Sequence, residues 1–509
     1  MSYRTCNFFP ETRPPFASVI RRRFRWSVWG AAIALLAAAN VPGLARLLYA
    51  RIPSESGRRT TLFCQAALGQ LRDVRVAHGI PGSGAAGYVT GFTRPDSRVV
   101  MHIQAAGGLY QAVIRYNSPA QKGFVLTLNG EQYSGMFPPS GRGFRDYQAG
   151  LVELKTGANT VWVGGGWDYY NIDRVKFIPA YAAPRPGRVS PVLCDPDATP
   201  QARALMRHLA AGFGRRMLLG TYSTHDAAYD RSVTGVSPSI IGGDLINYSP
   251  SRLARGQPVD HESSRMIRMA RKGYIVTLSW HWNDPTGLID HDYTNAAGKL
   301  VHAHWWFGFY TKSTTFNLAN VLAHPNGRDY KLMISNIDAI AVQLLKFQRA
   351  GIPVLWRPLH EASGGRFWWG AHGPGPFKKL WRLLYRRLTY HFHLHNLIWV
   401  YTSGGTGKWF SGNQYVDIVG VDQYPKDTRD PLVRLWNNCR RNFPHKLLAV
   451  SEYGGVVDAQ REFKFGVYWD YAVSWSGYTR PNHTARHRLQ RIYHQSVVWT
   501  HAQVKHWGY

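Results

Sequence analysis

The chain has 509 residues, more than one hydrophobic core ordinarily organises, so at least two domains are expected. Its 45% hydrophobic and 18% charged content exclude a disordered chain, and 14% aromatics, with 19 Trp and 28 Tyr, exceed the ordinary needs of a core. The formal charge of +31 is spread in short clusters with no nucleic-acid-binding module, which argues against a nucleic-acid partner and for a basic surface facing an anionic envelope or an acidic glycan.

In chain order, residues 1–60 read as an export or anchor segment. Arg21, Arg22, Arg23 and Arg25 precede the run "WSVWGAAIALLAAANVPGL", a positive region followed by an apolar one. The run is long for a cleaved signal and short for a membrane span, so both readings stand. Either places the remainder outside the cytoplasm, secreted or anchored, with a possible contact to the membrane or envelope through this segment. Residues 61–180 alternate polar and apolar in short runs ("SRVVMHIQA", "GLYQAVIRYN", "GFVLTLNGEQY", "NTVWVGG", "NIDRVKFIP") separated by turn residues, the pattern of an all-β sandwich or jelly roll. Cys64 and Cys194 flank this domain. If its ends lie together they can form a disulfide, the alternative being free buried thiols; Cys439 has no obvious partner. Residues 181–200, "YAAPRPGRVSPVLCDPDATP", read as a Pro-rich linker.

From 201 to 509 apolar strands alternate with helical segments. Eight strand candidates, at 216–223, 238–248, 274–282, 353–361, 397–403, 417–424, 446–455 and 471–478, predict a (β/α)8 TIM barrel. An open doubly wound sheet is disfavoured because no glycine-rich nucleotide loop follows the first strand. In such a barrel reactive groups sit where strands end. The fourth candidate ends in "LWRPLHEASGGRFWWG", delivering Glu361, and the seventh in "LLAVSEYGG", delivering Glu452. Two carboxylates facing one another across a barrel mouth can flank a glycosidic bond, one giving a proton to the leaving oxygen and the other attacking the anomeric carbon. A structural salt bridge at the mouth is the alternative. His391, His393 and His395 in "YHFHLHNL" offer metal-ligand types, but without an acidic or Cys partner nearby in sequence they are read as ordinary surface histidines; no metal and no cofactor is expected.

"RPLHEASGGRFWWG" with "SEYGG", together with "TGVSPSIIGGDLINY", "SWHWNDP", "VGVDQYP" and "YAVSWSG" in that order, resembles glycoside hydrolase family 26, best known for β-mannanases. The resemblance implies a (β/α)8 fold and a retaining endo-β-glycosidase acting on β-1,4-mannan, glucomannan or galactomannan. It makes Glu361 the acid/base and Glu452 the nucleophile. It places His360 beside the donor, Tyr424 on the nucleophile, His281 and Trp282 along the site, and Trp475 under a sugar. Phe367 and Trp368 are expected to pave a platform beyond the donor. Asp244 and Asp422 brace the site, and Trp280 is as compatible with the core. Five residues beyond the donor, where the family commonly has Trp, stands Arg366, which favours a substituted or acidic glycan. Mixed-linkage glucan, xylan and exopolysaccharide are alternative substrates, and a non-catalytic glycan-binding protein is the alternative class.

The first domain, through "GYVTGF", "LTLNGEQY", "LKTGANTVWV" and "WDYYNIDRVKF", resembles a family 35 carbohydrate-binding module. Trp167, Tyr169, Tyr170 and Asn171 are its candidate glycan contacts. Modules of this kind often hold calcium through carboxylates near their first strand; here Asp73 is the one acidic residue there, with Asp173 also available, which disfavours calcium. The β-linked polysaccharide is the partner this implies. A monomer is expected, with the module a tether whose removal spares hydrolysis of soluble substrate.

Overall fold

The structure, a computed structural model, describes residues 59–165, 169–402 and 404–508. The export or anchor segment and Trp167 lie outside the described residues. Among the described residues no helix is long and apolar enough to cross a membrane.

Eleven strands build the first domain: β1 (Leu62–Gln65), β2 (Gln70–Arg72), β3 (Arg75–Ala77), β4 (Tyr88–Thr90), β5 (Arg98–Ala105), β6 (Gly108–Asn117), β7 (Lys122–Leu128), β8 (Glu131–Phe137), β9 (Arg145–Leu154), β10 (Gly157–Gly164) and β11 (Asn171–Pro179). They pair antiparallel in two sheets, β3-β4-β11-β6-β9 with β1 beside β11, and β2-β5-β10-β7-β8. Alternate residues point inward, so Val99, Met101 and Ile103 of β5 meet Ala112, Ile114 and Tyr116 of β6 in one apolar core. Asn129 and Gly130, both at positive φ, join β7 to β8 in a two-residue turn. That backbone twist suits a tight hairpin and is tolerated by Asn and Gly.

Cys64 on β1 and Cys194 are both free thiols, so of the two readings left open the free-thiol one holds. Cys64 is buried opposite Val175, and its thiol is pushed up to about 12 by burial. The Cys194 amide instead donates to Asp417 across 2.6 Å, anchoring the linker's end to the second domain.

All eight expected strands of the second domain form, as β12 (Met217–Tyr222), β13 (Ile240–Asp244), β14 (Ile275–Ser279), β17 (Val354–Arg357), β18 (Leu397–Thr402), β19 (Ile418–Gln423), β20 (Leu447–Tyr453) and β21 (Tyr471–Ser474). A small hairpin, β15 (Asp292–Thr294) and β16 (Leu300–His302), is inserted after β14. The eight are parallel neighbours in chain order, and β12 pairs with both β21 and β13, which closes the barrel; a short β22 (Val498–Trp499) adds to β12 outside the ring. The strands are buried on both sides, which explains their near-continuous apolar runs. The ladder is regular except at one end of β20. There the register slips on both sides, between Val421 and Asp422 of β19 and between Val450 and Tyr453 toward β21. Such bulges re-aim side chains, and these set Asp422 directly beside Glu452.

Candidate active site

Arg357 ends β17, inside the barrel and without exposure to solvent. A guanidinium there is tenable only if every donor finds an acceptor. Its Nε donates to the Tyr222 hydroxyl (3.0 Å), one terminal nitrogen to Asp422 (2.7 Å) and the other to Glu452 Oε2 (2.6 Å). The second oxygen of Glu452 accepts from the Tyr424 hydroxyl. Burial, together with the carboxylate beside it, pushes the Tyr424 phenol far up, so it stays a donor. Glu452 is thus held at both oxygens with its rotamer fixed. Asp422, which also accepts from Ser451 Oγ (2.9 Å), is pushed up to about 8 by burial, with Glu452 and Glu361 adding to the rise against the Arg357 charge.

Glu361 lies four residues beyond the end of β17, in a left-handed turn: Leu359 has φ 51° and Glu361 φ 52°. Neither is glycine, and such conformations cost about 1–3 kcal/mol each unless their surroundings hold them. Here the Trp369 indole donates to the His360 carbonyl (2.8 Å), fixing the peptide between them. Burial and the nearby Glu452 charge raise the Glu361 carboxyl above its ordinary range, against Arg366 and Arg357. Arg366 donates to Glu361 Oε2 across 2.8 Å from a largely exposed position.

His360 is buried, and desolvation, with Arg357 and His281 adding, holds its imidazole well below the usual value, hence neutral. His281 donates Nδ1–H to Asp244, whose other oxygen accepts the His281 amide (3.1 Å). Burial raises the Asp244 carboxyl, but the His281 charge and these bonds outweigh it and lower it. The His281 and His360 rings meet Nε2 to Nε2 at 3.2 Å. Trp475, half-buried, lies 4.6 Å from the Tyr222 ring and 5.7 Å from His281.

The structure brings Glu361, Glu452, His360, Tyr424, His281, Trp475 and Arg366 to one mouth of the barrel. It corrects three of the expected contacts. Trp282 and Trp368 have no solvent exposure. The Trp282 indole donates to Asn336 and stacks on Trp280, and the Trp368 indole donates to the Trp282 carbonyl, so both are barrel core. Phe367, also nearly buried, is sandwiched between Trp369 (4.6 Å, 11°) and Tyr310 (5.3 Å, 8°), leaving Tyr310 as the more accessible face of that stack. The aromatics following the donor therefore support the turn rather than pave the cleft.

Four groups went unrecognised in the sequence: Arg357, Tyr222, Tyr310 and Tyr478, whose ring meets Tyr424 edge-on at 5.3 Å. Arg357 carried a usable signal, a lone cation inside the apolar run "PVLWRPL", which a buried strand accepts only with acidic partners. The tyrosines carried none.

In the first domain Tyr170 is buried and stacked on Phe92 at 4.7 Å, which withdraws it from the candidate glycan contacts. Asn171 donates to Asn117 (3.0 Å), while Tyr169 is exposed with Lys122 5.3 Å from its ring centre. Asp173 is buried against Arg174 (3.1 Å) and Arg115 (3.8 Å), and Asp73 pairs with Arg94 (3.6 Å). These carboxylates face guanidinium groups, a poor setting for a calcium ion. Among the described residues, Asp195, Asp197 and His395 have their ligand atoms within 4.8 Å of one another, so His395 does have acidic neighbours, from a distant part of the chain.

The sequence profile of glycosyl hydrolase family 26 matches residues 194–503, and that of carbohydrate binding module family 35 matches residues 64–180. A mannan endo-1,4-beta-mannosidase of Thermothelomyces thermophilus is 35% identical over 486 residues, 93% of this chain and 97% of that protein. The crystal structure of a Podospora anserina GH26-CBM35 beta-(1,4)-mannanase superposes with a TM-score of 0.63 at 35% identity, covering 88% of this chain and all of that one. A β-mannanase from a symbiotic protist of the termite Reticulitermes speratus, solved with a gluco-manno-oligosaccharide, gives a TM-score of 0.54 at 25% identity over 62% of this chain and 98% of its own.

Proposed function

Since the chain belongs to glycosyl hydrolase family 26, we propose that it is an endo-acting β-1,4-mannan hydrolase working by retaining double displacement, with Glu361 as acid/base and Glu452 as nucleophile. One observation carries the assignment of roles. Glu452 is pinned at both oxygens by the cation Arg357 and by Tyr424, while Glu361 is raised by burial and by Glu452 itself. A carboxylate fixed in place suits attack, and a carboxyl raised above its ordinary range suits donation.

The chemistry runs in two steps. Glu361 gives its proton to the glycosidic oxygen as a Glu452 oxygen bonds to the anomeric carbon and the leaving chain departs. Glu361, now a carboxylate, takes a proton from water as the water oxygen displaces Glu452 at the same carbon. The electrostatic coupling between the two is as this requires: the proton held on Glu361 is favoured while Glu452 is negative and is released once that charge is consumed in the ester. Retention calls for carboxyl groups about 5–5.5 Å apart. His360, kept uncharged by burial, and His281, held by Asp244, suit orienting a sugar hydroxyl. The sandwich domain, with Tyr169 exposed, serves as a glycan-binding module that raises the local concentration of polymer. The basic N-terminal segment with its apolar run supports export, with the protein secreted or anchored outside the cytoplasm.

The test is a polysaccharide panel of glucomannan, galactomannan, mixed-linkage glucan and xylan, with the anomeric configuration of fresh products read by NMR. Release of β-configured manno-oligosaccharides supports the reading. Activity confined to glucan or xylan, or an α-configured first product, overturns it.

A further inference from the structure

The tip of the β7–β8 hairpin does not face solvent. Asn129–Gln132 lies against the segment 424–432, which leaves β19 with Tyr424 and leads into the helix Val433–Asn442. The Gln132 amide donates to Asp427 Oδ2 (3.1 Å), and the Gly130 carbonyl accepts from Arg429 (2.6 Å). Arg429 in turn grips Asp427 through two of its nitrogens. Glu131 accepts from Arg461 (2.5 Å), which sits on the helix Ala459–Lys464 just after β20, and Arg461 Nε donates to the Arg429 carbonyl (2.6 Å). Both members of the Glu131–Arg461 pair are largely shielded from water. The same segment is tied to the strand end beneath it, since the Tyr453 hydroxyl and Arg488 both donate to the Thr428 carbonyl. It also fits closely: side chains added at Gly454 and Gly455 would collide with Tyr424 and Thr428.

We infer that the hairpin of the sandwich domain is a brace for the catalytic mouth, with Glu131 a positioning residue that acts through Arg461 and Arg429 on the segment holding Tyr424 against Glu452. The inference rests on the roles assigned above to Glu452 and Tyr424. The physical argument is one of ordering. A nine-residue loop carrying a catalytic hydrogen-bond donor must be fixed to a fraction of an ångström, and neighbouring loops of the barrel supply only part of the bonding. The bonds from Gln132, Gly130 and Glu131 supply the rest. The module is then part of the hydrolytic machine rather than a detachable tether, contrary to the expectation from sequence. The remainder of the seam works differently: Leu109, Leu151 and Phe465 form a small apolar cluster, and Lys464 pairs with Glu153 away from the loop.

The full-length protein with Glu131→Lys, which sets a cation against Arg461, tests this, beside Glu131→Gln and the seam control Lys464→Ala. Two readouts are taken on each: amide hydrogen exchange of segment 424–432, and kcat and KM on a soluble manno-oligosaccharide. Glu131→Lys is expected to speed exchange of that segment and to lower kcat by about tenfold with KM within about twofold. Glu131→Gln, which still accepts from Arg461, retains most of both, and Lys464→Ala resembles wild type. Unchanged exchange in Glu131→Lys, a loosened segment with wild-type kcat, or equal losses in Lys464→Ala overturns the brace. A wild-type protein inert on mannan would sink the proposed activity but not the brace, which the exchange measurement decides by itself.

Discussion

Arg357 and Glu452 meet across 2.6 Å in a buried pair that joins the end of β17 to the end of β20. The pair fixes the orientation of the nucleophile and seats a cation in the barrel interior. Removing the cation leaves the Asp422 and Glu452 carboxyl groups facing one another without it. Arg357→Met should therefore lower kcat by at least about a hundredfold and destabilise the fold by about 3–5 kcal/mol. Chemical denaturation read beside kinetics checks both. A stable, inactive variant would assign the residue to chemistry alone.

Glu361→Ala separates the two steps of the reaction by leaving group. Polymer hydrolysis needs the proton and should slow by about 10²–10⁴-fold, while formation of the glycosyl–enzyme from an activated aryl manno-oligoside should be much less affected. Initial rates on the two substrates, compared in one preparation, give the ratio. Equal slowing on both would remove the acid role.

The pH profile follows from the neighbours of Glu361. Its raised pKa, from burial and Glu452, carries the alkaline limb of activity above the ordinary glutamate range. Arg366 opposes that rise, so Arg366→Ala should move the alkaline limb to higher pH. Loss of a cation favours the protonated acid, which fixes the sign. A kcat/KM profile on soluble substrate reads it, and movement to lower pH would show that Arg366 acts on some other group.

The tryptophans divide by burial. Trp368→Ala removes a fully enclosed ring and should cost about 3–5 kcal/mol of stability. Trp475→Ala should leave Tm within a few degrees and raise KM, since its half-buried face borders the cleft beside His281. Thermal melts with Michaelis kinetics distinguish the pair. A Trp368→Ala protein with wild-type Tm and a raised KM would return that ring to the cleft.

How much of this was legible in the sequence depended on range. The eight barrel strands were readable because a strand buried on both faces must be a short continuous apolar run, and Glu361 and Glu452 stood out as carboxylates closing such runs. The consecutive Phe367, Trp368 and Trp369 misled for a related reason. An aromatic run says that large rings are needed, not which way they point, and here the left-handed turn at Leu359 and Glu361 needed backing from below. Cys64 and Cys194 flank one domain in sequence, yet one lies inside a sandwich sheet and the other against Asp417 of the barrel. The brace was least legible of all. Its partners, Glu131 with Arg461 and Gln132 with Asp427, are some three hundred residues apart, and only the docking of two domains brings them together.

The covalent step is open to direct test. Glu361→Ala, incubated with an activated aryl manno-oligoside, should form the glycosyl–enzyme faster than it can hydrolyse it, because the base for the second step is missing. Mass spectrometry of the digested protein is predicted to find one added glycosyl unit on the peptide containing Glu452. An adduct on any other peptide, or continued turnover with no adduct at all, would contradict the assignment.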